Sequence, residues 1–362
     1  MSGARRPILI MAGGTGGHVF PALAVAEQVR RQGVPVVWLG TRTGLEARVV
    51  PAAGIPVQWI RVSGLRGKGM LKLLTAPVML GWALLQTLWV VIRLRPAAVL
   101  GMGGFVTGPG GLTAWLLRRP LLIHEQNSVA GLTNRLLAPL AKRVMEAFPG
   151  SLPNALHTGN PVRESIAQMA FVEKDMSGRR PHLLVVGGSL GAAAFNETVP
   201  RALAAIDAAA RPEVWHQTGL RHVEQATVAY REAGVEVRLD AFIDDMAEAY
   251  RWADLVLCRA GALTIAELAA VGVASILVPY PHAVDDHQTA NARYLADAGA
   301  AALLPQTEMT AGRLAQELSL LQQPQRLHDM ARRARDKAIP DAAARVADNC
   351  LQLAGWQQRR AA

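Results

Sequence analysis

Short apolar and β-branched runs alternate with stretches of helical period along the whole chain. In the first half this pattern predicts strands at 8–11, 34–39 and 121–124, with further strands near Val99 and Val144, and a helix at 22–31. Alternation of this kind is typical of parallel β-sheets built from β-α units. The pattern therefore predicts an α/β protein.

The second half of the chain begins with the same pattern as the first. The run 183–186 leads into a glycine-rich loop, 187–191, and a predicted helix at 192–209, just as the strand at 8–11 leads into a glycine-rich loop at 13–17. This weak repetition predicts two Rossmann-like domains. The join is expected between Pro149 and Pro181, where prolines and polar residues interrupt the periodicity.

We accordingly predict a first domain at 1–160 and a second at 161–340. A terminal helix is predicted at 341–356, and the segment 341–362 is expected to pack back on the first domain. In open parallel sheets, ligands bind beyond the carboxyl ends of the strands. The two sheets, with their glycine loops, are therefore expected to face each other across a cleft.

Composition favours a folded protein of a reducing compartment. A chain of 362 residues with 51% hydrophobic content can close two apolar cores. Its two cysteines, Cys258 and Cys350, are too few and too far apart for a disulfide framework. The apolar run after Arg6 ends at Gly13, too early for a signal-peptide core. A cytoplasmic location is expected.

The formal net charge of +10 favours a polyanionic partner. Nucleic acid is the weakest option, because the basic residues are scattered and no zinc-finger, RNP-like or basic-zipper signature occurs. We predict no nucleic-acid partner, which leaves a phosphorylated substrate or an anionic membrane.

The run 73–92 between Lys72 and Arg93 carries no charge and is 20 residues long, enough to span a bilayer. A transmembrane helix, a wholly buried crossover helix and an interfacial helix are the alternatives. We favour an interfacial helix that starts with Thr75 as N-cap and Pro77 in its first turn. Tryptophans lie within the run and basic residues surround it, a pattern that suits an anionic membrane surface. These residues are Trp82 and Trp89, and Arg66, Lys68, Lys72, Arg93 and Arg95.

The loop Gly13-Gly14-Thr15-Gly16-Gly17-His18 connects a strand to a helix. Backbone N–H groups without side-chain cover can approach an oxyanion there, and the helix dipole adds attraction. The spacing is not G-x-G-x-x-G, the second strand is not followed by an acidic residue, and no P-loop motif occurs. NAD and ATP are therefore disfavoured.

His18 stands at the mouth of this loop, where a neutral imidazole could accept a proton from an attacking hydroxyl. The nearby helix N-terminus would disfavour the imidazolium form. A helix-capping histidine is the alternative.

Gly187-Gly188-Ser189-Leu190-Gly191 matches the G-x-S-x-G nucleophile elbow of serine hydrolases. Ser189, then Asp285 or Asp286, then His287 follow the hydrolase order, although adjacent Asp and His leave little room for a triad. The first glycine loop has Thr15 at the equivalent position, and nothing in its sequence indicates a nucleophile. Anion binding by both loops is favoured.

Two further motifs follow predicted strands of the second domain. Glu267 lies in the segment 261–267, on the first turns of a helix, where a carboxylate can accept hydrogen bonds from the two hydroxyls of a ribose. A capping glutamate is the alternative. The run Asp285-Asp286-His287-Gln288 could bind sugar hydroxyls. Together the two motifs predict one wall of the cleft.

Seven segments in order resemble the MurG family of peptidoglycan glycosyltransferases over nearly the whole chain. They are 13–18, Gly101-Met102-Gly103-Gly104-Phe105, His124-Glu125-Gln126-Asn127, Gly159-Asn160-Pro161-Val162-Arg163, 187–191, 259–267 and 286–291. The resemblance implies the GT-B fold and transfer of N-acetylglucosamine from UDP-GlcNAc to the 4-hydroxyl of the muramyl sugar in undecaprenyl-pyrophosphoryl-MurNAc-pentapeptide (lipid I), giving lipid II. The resemblance also implies that the protein acts at the cytoplasmic face of the cell membrane, as a peripheral protein.

The resemblance also implies site residues. The donor site would comprise Thr15, Gly16, Gly17, Asn127, Arg163, Ser189, Ile243, Ala262, Leu263, Thr264, Ile265, Ala266, Glu267 and Gln288. The acceptor site would comprise Gly14, Thr15, His18, Gly103, Gly104, Phe105 and Glu125. Phe105 stands where some members have tyrosine, so this chain offers no side-chain hydroxyl at that position.

Residues and resemblance agree on a mechanism. Helix N-termini and Arg163 could stabilise the leaving pyrophosphate, and no Asp-x-Asp motif is present to hold a divalent cation. We predict a single displacement with inversion, with His18 as base and with neither metal nor cofactor. The alternatives are a GT-B-fold UDP-GlcNAc epimerase, a Ser189 hydrolase and a non-catalytic sugar-nucleotide sensor.

Overall fold

A computed structural model describes residues 6–63, 70–188 and 191–356 of the chain, with side chains from residue 76 onward in the second range. The chain divides into two compact units. Unit 1 contains the described residues up to Arg163 together with the C-terminal helix Ala342–Leu353, and unit 2 runs from Glu164 to Pro340.

Unit 1 is an α/β unit around a parallel sheet of seven strands, in the order β3-β2-β1-β4-β5-β6-β7. Its elements are β1 Ile8–Met11, α1 Gly16–Arg31, β2 Val36–Gly40, α2 Glu46–Ala52, β3 Val57–Trp59, α3 Met70–Leu94, β4 Ala98–Gly101, α4 Thr107–Leu116, β5 Leu121–Glu125, α5 Leu132–Leu137, β6 Arg143–Glu146 and β7 Leu156–His157. In register, Ile8 pairs with Val36 on one side and with Ala98 on the other.

Helices cover both faces of the unit 1 sheet. Ile8 and Ile10 of β1 pack with α1 and with Val346 of the C-terminal helix. Leu9 and Met11 point to the other face, which α3 and α4 cover. Burial on both faces explains why β1 is a continuous apolar run without polar alternation.

Unit 2 repeats this plan with six parallel strands in the order β10-β9-β8-β11-β12-β13. Its elements are α6 Glu164–Ala167, β8 His182–Val186, α7 Ala193–Ala204, β9 Glu213–Gln217, α8 Val223–Glu232, β10 Arg238–Asp240, α9 Met246–Trp252, β11 Leu255–Cys258, α10 Ala262–Val271, β12 Ala274–Leu277, α11 His287–Ala296, β13 Ala301–Leu303, α12 Ala311–Leu318 and α13 Pro324–Asp336. The prediction of two Rossmann-like α/β domains is confirmed.

Two predicted helix boundaries in the β-α units were wrong. Helix α1 begins at Gly16 rather than at residue 22, with Pro21 inside it. Residues 16 and 17 are glycines, which lower helix propensity. A Cβ at Gly16 would stand 3.0 Å from the Phe20 ring, so glycine at this position lets the first turn lie close to that ring. Helix α7 ends at Ala204, and a short 3-10 turn, Ala208–Ala210, follows it.

Helix α3 begins earlier than predicted. Its backbone is helical from Met70, so Thr75 is not the N-cap and Pro77 lies in the helix interior. The missing N–H of a proline removes one helical hydrogen bond, but the remainder of a long helix can continue past it. The stretch Ala76–Leu94 is long and apolar enough to cross a membrane by length and composition alone.

The two sides of α3 differ. Ala83, Thr87 and Val91 are buried, and the Thr87 hydroxyl lies 2.8 Å from that of Thr113 in α4. A second stripe, defined here as the exposed stripe of α3, is more than half exposed at every position: Val78, Trp82, Leu85, Trp89 and Ile92. The wholly buried crossover helix is therefore wrong. The strands on either side of α3, β3 and β4, belong to one sheet.

Candidate active site

The carboxyl ends of β1, β4 and β5 are neighbours in the unit 1 sheet, and a loop that carries predicted site residues follows each strand. The order of the strands reverses between β1 and β4, and such a switch point is where open α/β sheets bind ligands. Gly14 in the first loop has a φ of +92°, and Thr15 is the N-cap of α1 with an exposed side chain that makes no capping hydrogen bond.

Glu46, at the start of α2, holds this first loop. One carboxyl oxygen, Oε2, accepts a hydrogen bond from the Gly14 N–H at 3.0 Å. The other, Oε1, accepts from the Thr41 N–H at 3.0 Å and from the Thr41 hydroxyl at 2.7 Å. Glu46 is fully buried, and sequence reasoning missed it. The Gly14 N–H is thus already bound within the protein and does not serve as one of the anion-binding amides inferred from the sequence.

His18 is the third residue of α1, and its ring lies against the second loop. A Cβ at Gly103 would stand 2.7 Å from His18 Nδ1, and one at Gly104 would stand 2.3 Å from the Gly13 carbonyl oxygen. Both glycines have positive φ, +96° and +83°. The glycines at 103 and 104 therefore let the second loop approach the first closely enough to contact His18.

The third loop contributes a buried amide to the same place. His18 Nδ1 lies 2.9 Å from Gln126 Oε1, and Gln126 Nε2 lies 3.0 Å from His124 Nδ1. His124 Nε2 in turn lies 3.0 Å from the carbonyl oxygen of Gly159. Burial lowers the pKa of His124 to about 4. Gln126 and His124 stand in a motif that the sequence analysis quoted, but only the fold shows that Gln126 contacts His18 and that His124 contacts Gln126.

Glu125 is buried, and its carboxyl group organises its own loop. Oε1 accepts from the Asn127 N–H at 2.9 Å and from the Asn127 side-chain amide at 3.3 Å. Oε2 accepts from the Gly131 N–H at 3.1 Å and from the Asn134 amide at 2.9 Å. Through these contacts Glu125 stabilises its loop, in addition to its predicted role in acceptor binding. They also fix the position of the half-buried Asn127 next to it.

Two more predicted residues of unit 1 are the exposed Phe105 and the half-buried Arg163. Phe105 is 54% exposed in the loop after β4. The Arg163 guanidinium stands 4.9 Å from the centre of the Phe20 ring, on the helix that carries His18. Arg163 is thus close to α1, and its cationic head stacks on an aromatic face.

The glycine loop of unit 2 follows β8. A Cβ at Gly191 would stand 2.1 Å from the Thr218 carbonyl oxygen, so the backbone of this loop runs against the segment after β9. Ser189, which the donor-site and hydrolase predictions share, lies outside the described residues. Ile243 is buried in the segment between β10 and α9.

Helix α10 carries the predicted donor-site run, Ala262, Leu263, Thr264, Ile265, Ala266 and Glu267. Ala262 and Ile265 are buried, whereas Leu263, Thr264 and Ala266 are half-buried. Glu267 is buried in the second turn, so it is not a capping glutamate. The Tyr250 hydroxyl donates a hydrogen bond to Glu267 Oε2 at 3.0 Å. This bond from α9 orients the carboxyl group.

Arg259 and Gln288 line the next part of unit 2. Arg259 donates to the carbonyl oxygens of Val278 and Pro279, at 3.2 and 3.3 Å, and its guanidinium lies 5.6 Å from the centre of the Tyr280 ring. Burial lowers the pKa of Arg259. Gln288 Oε1 accepts from the Tyr280 N–H at 2.9 Å. The structure thus brings the start of α10 and the start of α11 to the same edge of the sheet.

The hydrolase hypothesis pairs Asp285 or Asp286 and His287 with Ser189, which lies outside the described residues. His287 Nδ1 donates to the Val284 carbonyl oxygen at 2.7 Å, and Asp286 Oδ1 accepts from the Thr289 hydroxyl at 2.7 Å. Each group is therefore bound within its own turn. Within the described ranges there is also no cluster of three or more His, Cys, Asp or Glu side chains that could hold a metal ion.

Two family descriptions match this chain. The glycosyltransferase family 28 N-terminal domain matches residues 8–146, and the family 28 C-terminal domain matches residues 182–346. Together with these matches, the two Rossmann-like units place the chain in the class of GT-B-fold glycosyltransferases.

Curated relatives narrow this class. The chain is 60% identical over 353 residues to the UDP-N-acetylglucosamine–N-acetylmuramyl-(pentapeptide) pyrophosphoryl-undecaprenol N-acetylglucosamine transferase of Nitrosococcus oceani, covering 96% of this chain and 98% of the relative. The protein of that name from Alkalilimnicola ehrlichii is 62% identical, with 96% and 99% covered. This chain belongs to that family of transferases, the MurG family.

Solved structures agree with the sequence comparison. The crystal structure of Acinetobacter baumannii MurG has a TM-score of 0.84 and 44% identity, covering 96% of this chain and 99% of that one. A UDP-GlcNAc 2-epimerase from Neisseria meningitidis bound to UDP-GlcNAc has a TM-score of 0.66 at 12% identity, covering 95% and 99%. The second likeness shows a shared fold alone.

Proposed function

We propose that this protein transfers N-acetylglucosamine from UDP-GlcNAc to the 4-hydroxyl of the muramyl sugar of lipid I, with inversion, giving lipid II. The observation that carries the proposal is identity of 60% to a transferase of that name over nearly the full length of both chains. In the reaction the anomeric C–O bond to UDP breaks while a C–O bond to the acceptor forms. UDP leaves with the bonding electron pair, and the hydroxyl proton goes to a base.

His18 is the proposed base. Its ring lies where three loops meet beyond the carboxyl ends of β1, β4 and β5, and contacts with Gly103 and Gln126 hold it there. A base must reach the hydroxyl proton within hydrogen-bond distance, and a fixed ring keeps that geometry. We assign acceptor binding to the exposed residues around this point, Thr15 and Phe105, together with the glycine loops of unit 1.

Stabilisation of the leaving pyrophosphate is assigned to Arg163 and to helix N-termini. The N-termini of α1, α7 and α10 follow three glycine-containing loops, and their backbone N–H groups favour anions. The donor's ribose is assigned to Glu267 and its sugar to Gln288. We expect most of the transfer activity to remain with excess EDTA, and strict dependence on added magnesium would contradict this assignment.

The exposed stripe of α3 supports a peripheral membrane location on the cytoplasmic face. Further exposed apolar residues lie on α4, which packs against α3, and on α5, which packs against α4. These residues are Trp115, Leu116, Leu132 and Leu136. The Arg93 guanidinium lies 5.0 Å from the centre of the Trp89 ring, so a cation stands beside the apolar stripe. Apolar side chains with adjacent cations suit an interface with anionic lipid.

The alternatives account for less. An epimerase or a hydrolase has no use for an exposed apolar stripe, whereas an enzyme that takes a polyprenyl substrate does. The hydrolase also lacks support in the bonds of His287 and Asp286, which run within their own turn.

The deciding experiment is a transfer assay with radiolabelled UDP-GlcNAc and a short-chain lipid I analogue. We expect label in a disaccharide product that depends on the acceptor, with release of one UDP for each transfer. An epimerised sugar nucleotide in the absence of acceptor would favour the epimerase, and labelling of Ser189 by a fluorophosphonate would favour the hydrolase.

A further inference from the structure

We infer that Gln126 and His124 form a positioning relay, anchored on the Gly159 carbonyl, that holds His18 in the tautomer with its proton on Nδ1. The relay would leave the lone pair of Nε2 for the acceptor hydroxyl. It deepens the proposed function, because a fixed tautomer matters to catalysis only if His18 is the base. Gln126 and His124 act through His18 and do not touch substrate.

The orientation of the Gln126 amide is set by a backbone carbonyl. Its Nε2 lies 3.1 Å from the carbonyl oxygen of His124. A carbonyl oxygen only accepts hydrogen bonds, so the donating NH₂ group must stand on this side of the amide. The other side, Oε1, then faces His18 Nδ1 at 2.9 Å. Because Oε1 cannot donate, His18 Nδ1 must carry the proton.

The protonation of His124 is consistent with this orientation. His124 Nε2 lies 3.0 Å from the Gly159 carbonyl oxygen and must donate to it. Burial keeps the ring neutral near pH 7, since the pKa is lowered to about 4, so the ring has a single proton and Nδ1 carries a lone pair. That lone pair accepts the second hydrogen of the Gln126 amide at 3.0 Å. Every donor along the relay therefore meets an acceptor.

The relay also suits a proton transfer at His18. The Nδ1–H bond to Gln126 is present both in the neutral ring and in the imidazolium, so no hydrogen bond in the relay has to change when Nε2 takes a proton. In serine proteases a carboxylate holds the corresponding tautomer, and a wrong tautomer costs about 10⁴ in kcat. A neutral amide supplies the same orientation without adding a charge next to the ring.

The first test needs no variant. In wild-type protein with ¹⁵N-labelled histidine, long-range ¹H–¹⁵N correlation spectra distinguish a protonated ring nitrogen from one with a lone pair. The His18 signals are assigned by their loss in His18→Asn. We expect neutral His18 to be protonated on Nδ1 and His124 on Nε2. Protonation of neutral His18 on Nε2 would overturn the relay.

The second test removes the acceptor. Gln126→Met keeps the length of the side chain but replaces the amide oxygen that accepts from His18 Nδ1 by a weakly accepting thioether. The His18 signals should therefore shift toward the Nε2–H tautomer. We expect kcat to fall by about tenfold or more, within the roughly 10²–10⁴ that a general base contributes, with an unchanged KM for UDP-GlcNAc. Ring signals identical to wild type in folded Gln126→Met would also overturn the relay.

Two further variants separate positioning from folding. Gln126→Glu keeps an acceptor for His18 Nδ1 but loses the amide donor that faces His124, so it should preserve the Nδ1–H tautomer of His18 with a kcat between those of Gln126→Met and wild type. Gln86→Met removes another side-chain amide of unit 1, a half-buried one that accepts from the Arg61 N–H at 2.8 Å, and should leave the His18 signals and kcat unchanged. A loss of kcat in Gln86→Met equal to that in Gln126→Met would mean a merely structural role.

Different results would disprove the relay and the assignment of His18 as the base. Nearly full activity of His18→Ala would remove the base assignment while leaving the measured tautomer as it is. Unchanged ring-nitrogen signals in Gln126→Met would remove the relay whatever the kinetics of His18→Ala.

Discussion

The two glycine loops follow the central first strands of two sheets with matching strand order, yet different groups hold them. In unit 1, the carboxyl group of Glu46 binds the loop through the Gly14 N–H. Helix α1, which follows the loop, carries His18, and His18 contacts Gln126. In unit 2, the loop runs against the backbone at Thr218, and the polar side chains nearby bind backbone groups of their own unit, as Arg259 does.

This difference teaches that a repeated β-loop-α frame fixes where a site lies but not what it does. The buried side chains around each loop decide that, and they are not repeated between the units. Unit 1 supports a titratable ring by an amide relay. Unit 2 presents helix N-termini, with Glu267 held by Tyr250. The proposed division, proton transfer in unit 1 and binding of the donor's ribose and sugar in unit 2, predicts different defects for changes in each unit.

The largest effect is expected from His18→Ala. Loss of a general base lowers kcat by about 10²–10⁴. Because the donor is assigned chiefly to unit 2, calorimetric affinity for UDP-GlcNAc should stay near that of wild type. A kcat within threefold of wild type would remove the distinction between the two loops.

A smaller loss is expected from Gly103→Ala, because the new Cβ would stand 2.7 Å from His18 Nδ1 and displace the ring. Misplacement by about 1 Å can cost on the order of 10²-fold in rate. The matched control is Gly150→Ala, which has a similar positive φ of +86° but no neighbour within 4 Å of the added carbon. Equal rate losses in the two variants would point to backbone strain rather than to His18.

In unit 2, Glu267→Ala should weaken UDP-GlcNAc binding. Hydrogen bonds to a charged group contribute about 1.5–3 kcal/mol, equivalent to roughly 10–150-fold in Kd. Tyr250→Phe, which keeps the carboxyl group but removes its orienting hydroxyl, should weaken binding less. Calorimetry measures both, and unchanged affinity in Glu267→Ala would take the residue out of the donor site.

Acid should destabilise both units through one buried histidine in each. Burial lowers the pKa of His124 to about 4 and that of His216 to about 3, from 6.5. The unfolded chain therefore binds more protons below pH 6.5, and the free energy of unfolding falls as pH drops from 6.5 toward 4. We expect a loss of about 2 kcal/mol for each histidine at pH 5.

The variant His216→Gln separates acid stability from activity. Urea unfolding at pH 7 and pH 5 should show a weaker acid loss than in wild type, with transfer activity retained at pH 7. His124→Gln should weaken the acid loss as well but also lower kcat. An acid loss identical to wild type in both variants would mean that other groups govern it.

The smallest effect is expected at the membrane. Wild-type protein should sediment with anionic vesicles at low salt and be released in part at high salt, because salt screens the basic residues. The double change Trp82→Gln and Trp89→Gln should lower the bound fraction severalfold and leave activity on a short-chain acceptor intact. Leu220→Gln is the control in unit 2, where an even more exposed apolar residue lies outside the stripe. A helix that crosses the bilayer would resist carbonate extraction.

The helix and strand content of this chain was predictable because apolar periodicity reports burial locally. Strand β1 was predicted with the observed bounds, since both its faces are buried and both its ends are set by adjacent residues. The start of α3 was not predictable in the same way. Thr75 and Pro77 form a valid N-terminal signal, but the helix already continues through them from Met70. Local signals favour a boundary and do not enforce one when packing stabilises a longer helix.

Sequence by itself determined the two Rossmann-like units, the family and the position of the glycine loops, because these depend on residues that are neighbours in the chain. Only the tertiary structure decided which side chains support the site. Glu46 reaches Gly14 across 32 positions, and Gln126 reaches His18 across 108. Those contacts depend on β2 and β5 lying near β1 in the sheet. Local periodicity does not determine strand order. A buried polar side chain needs a partner, and the fold chooses it.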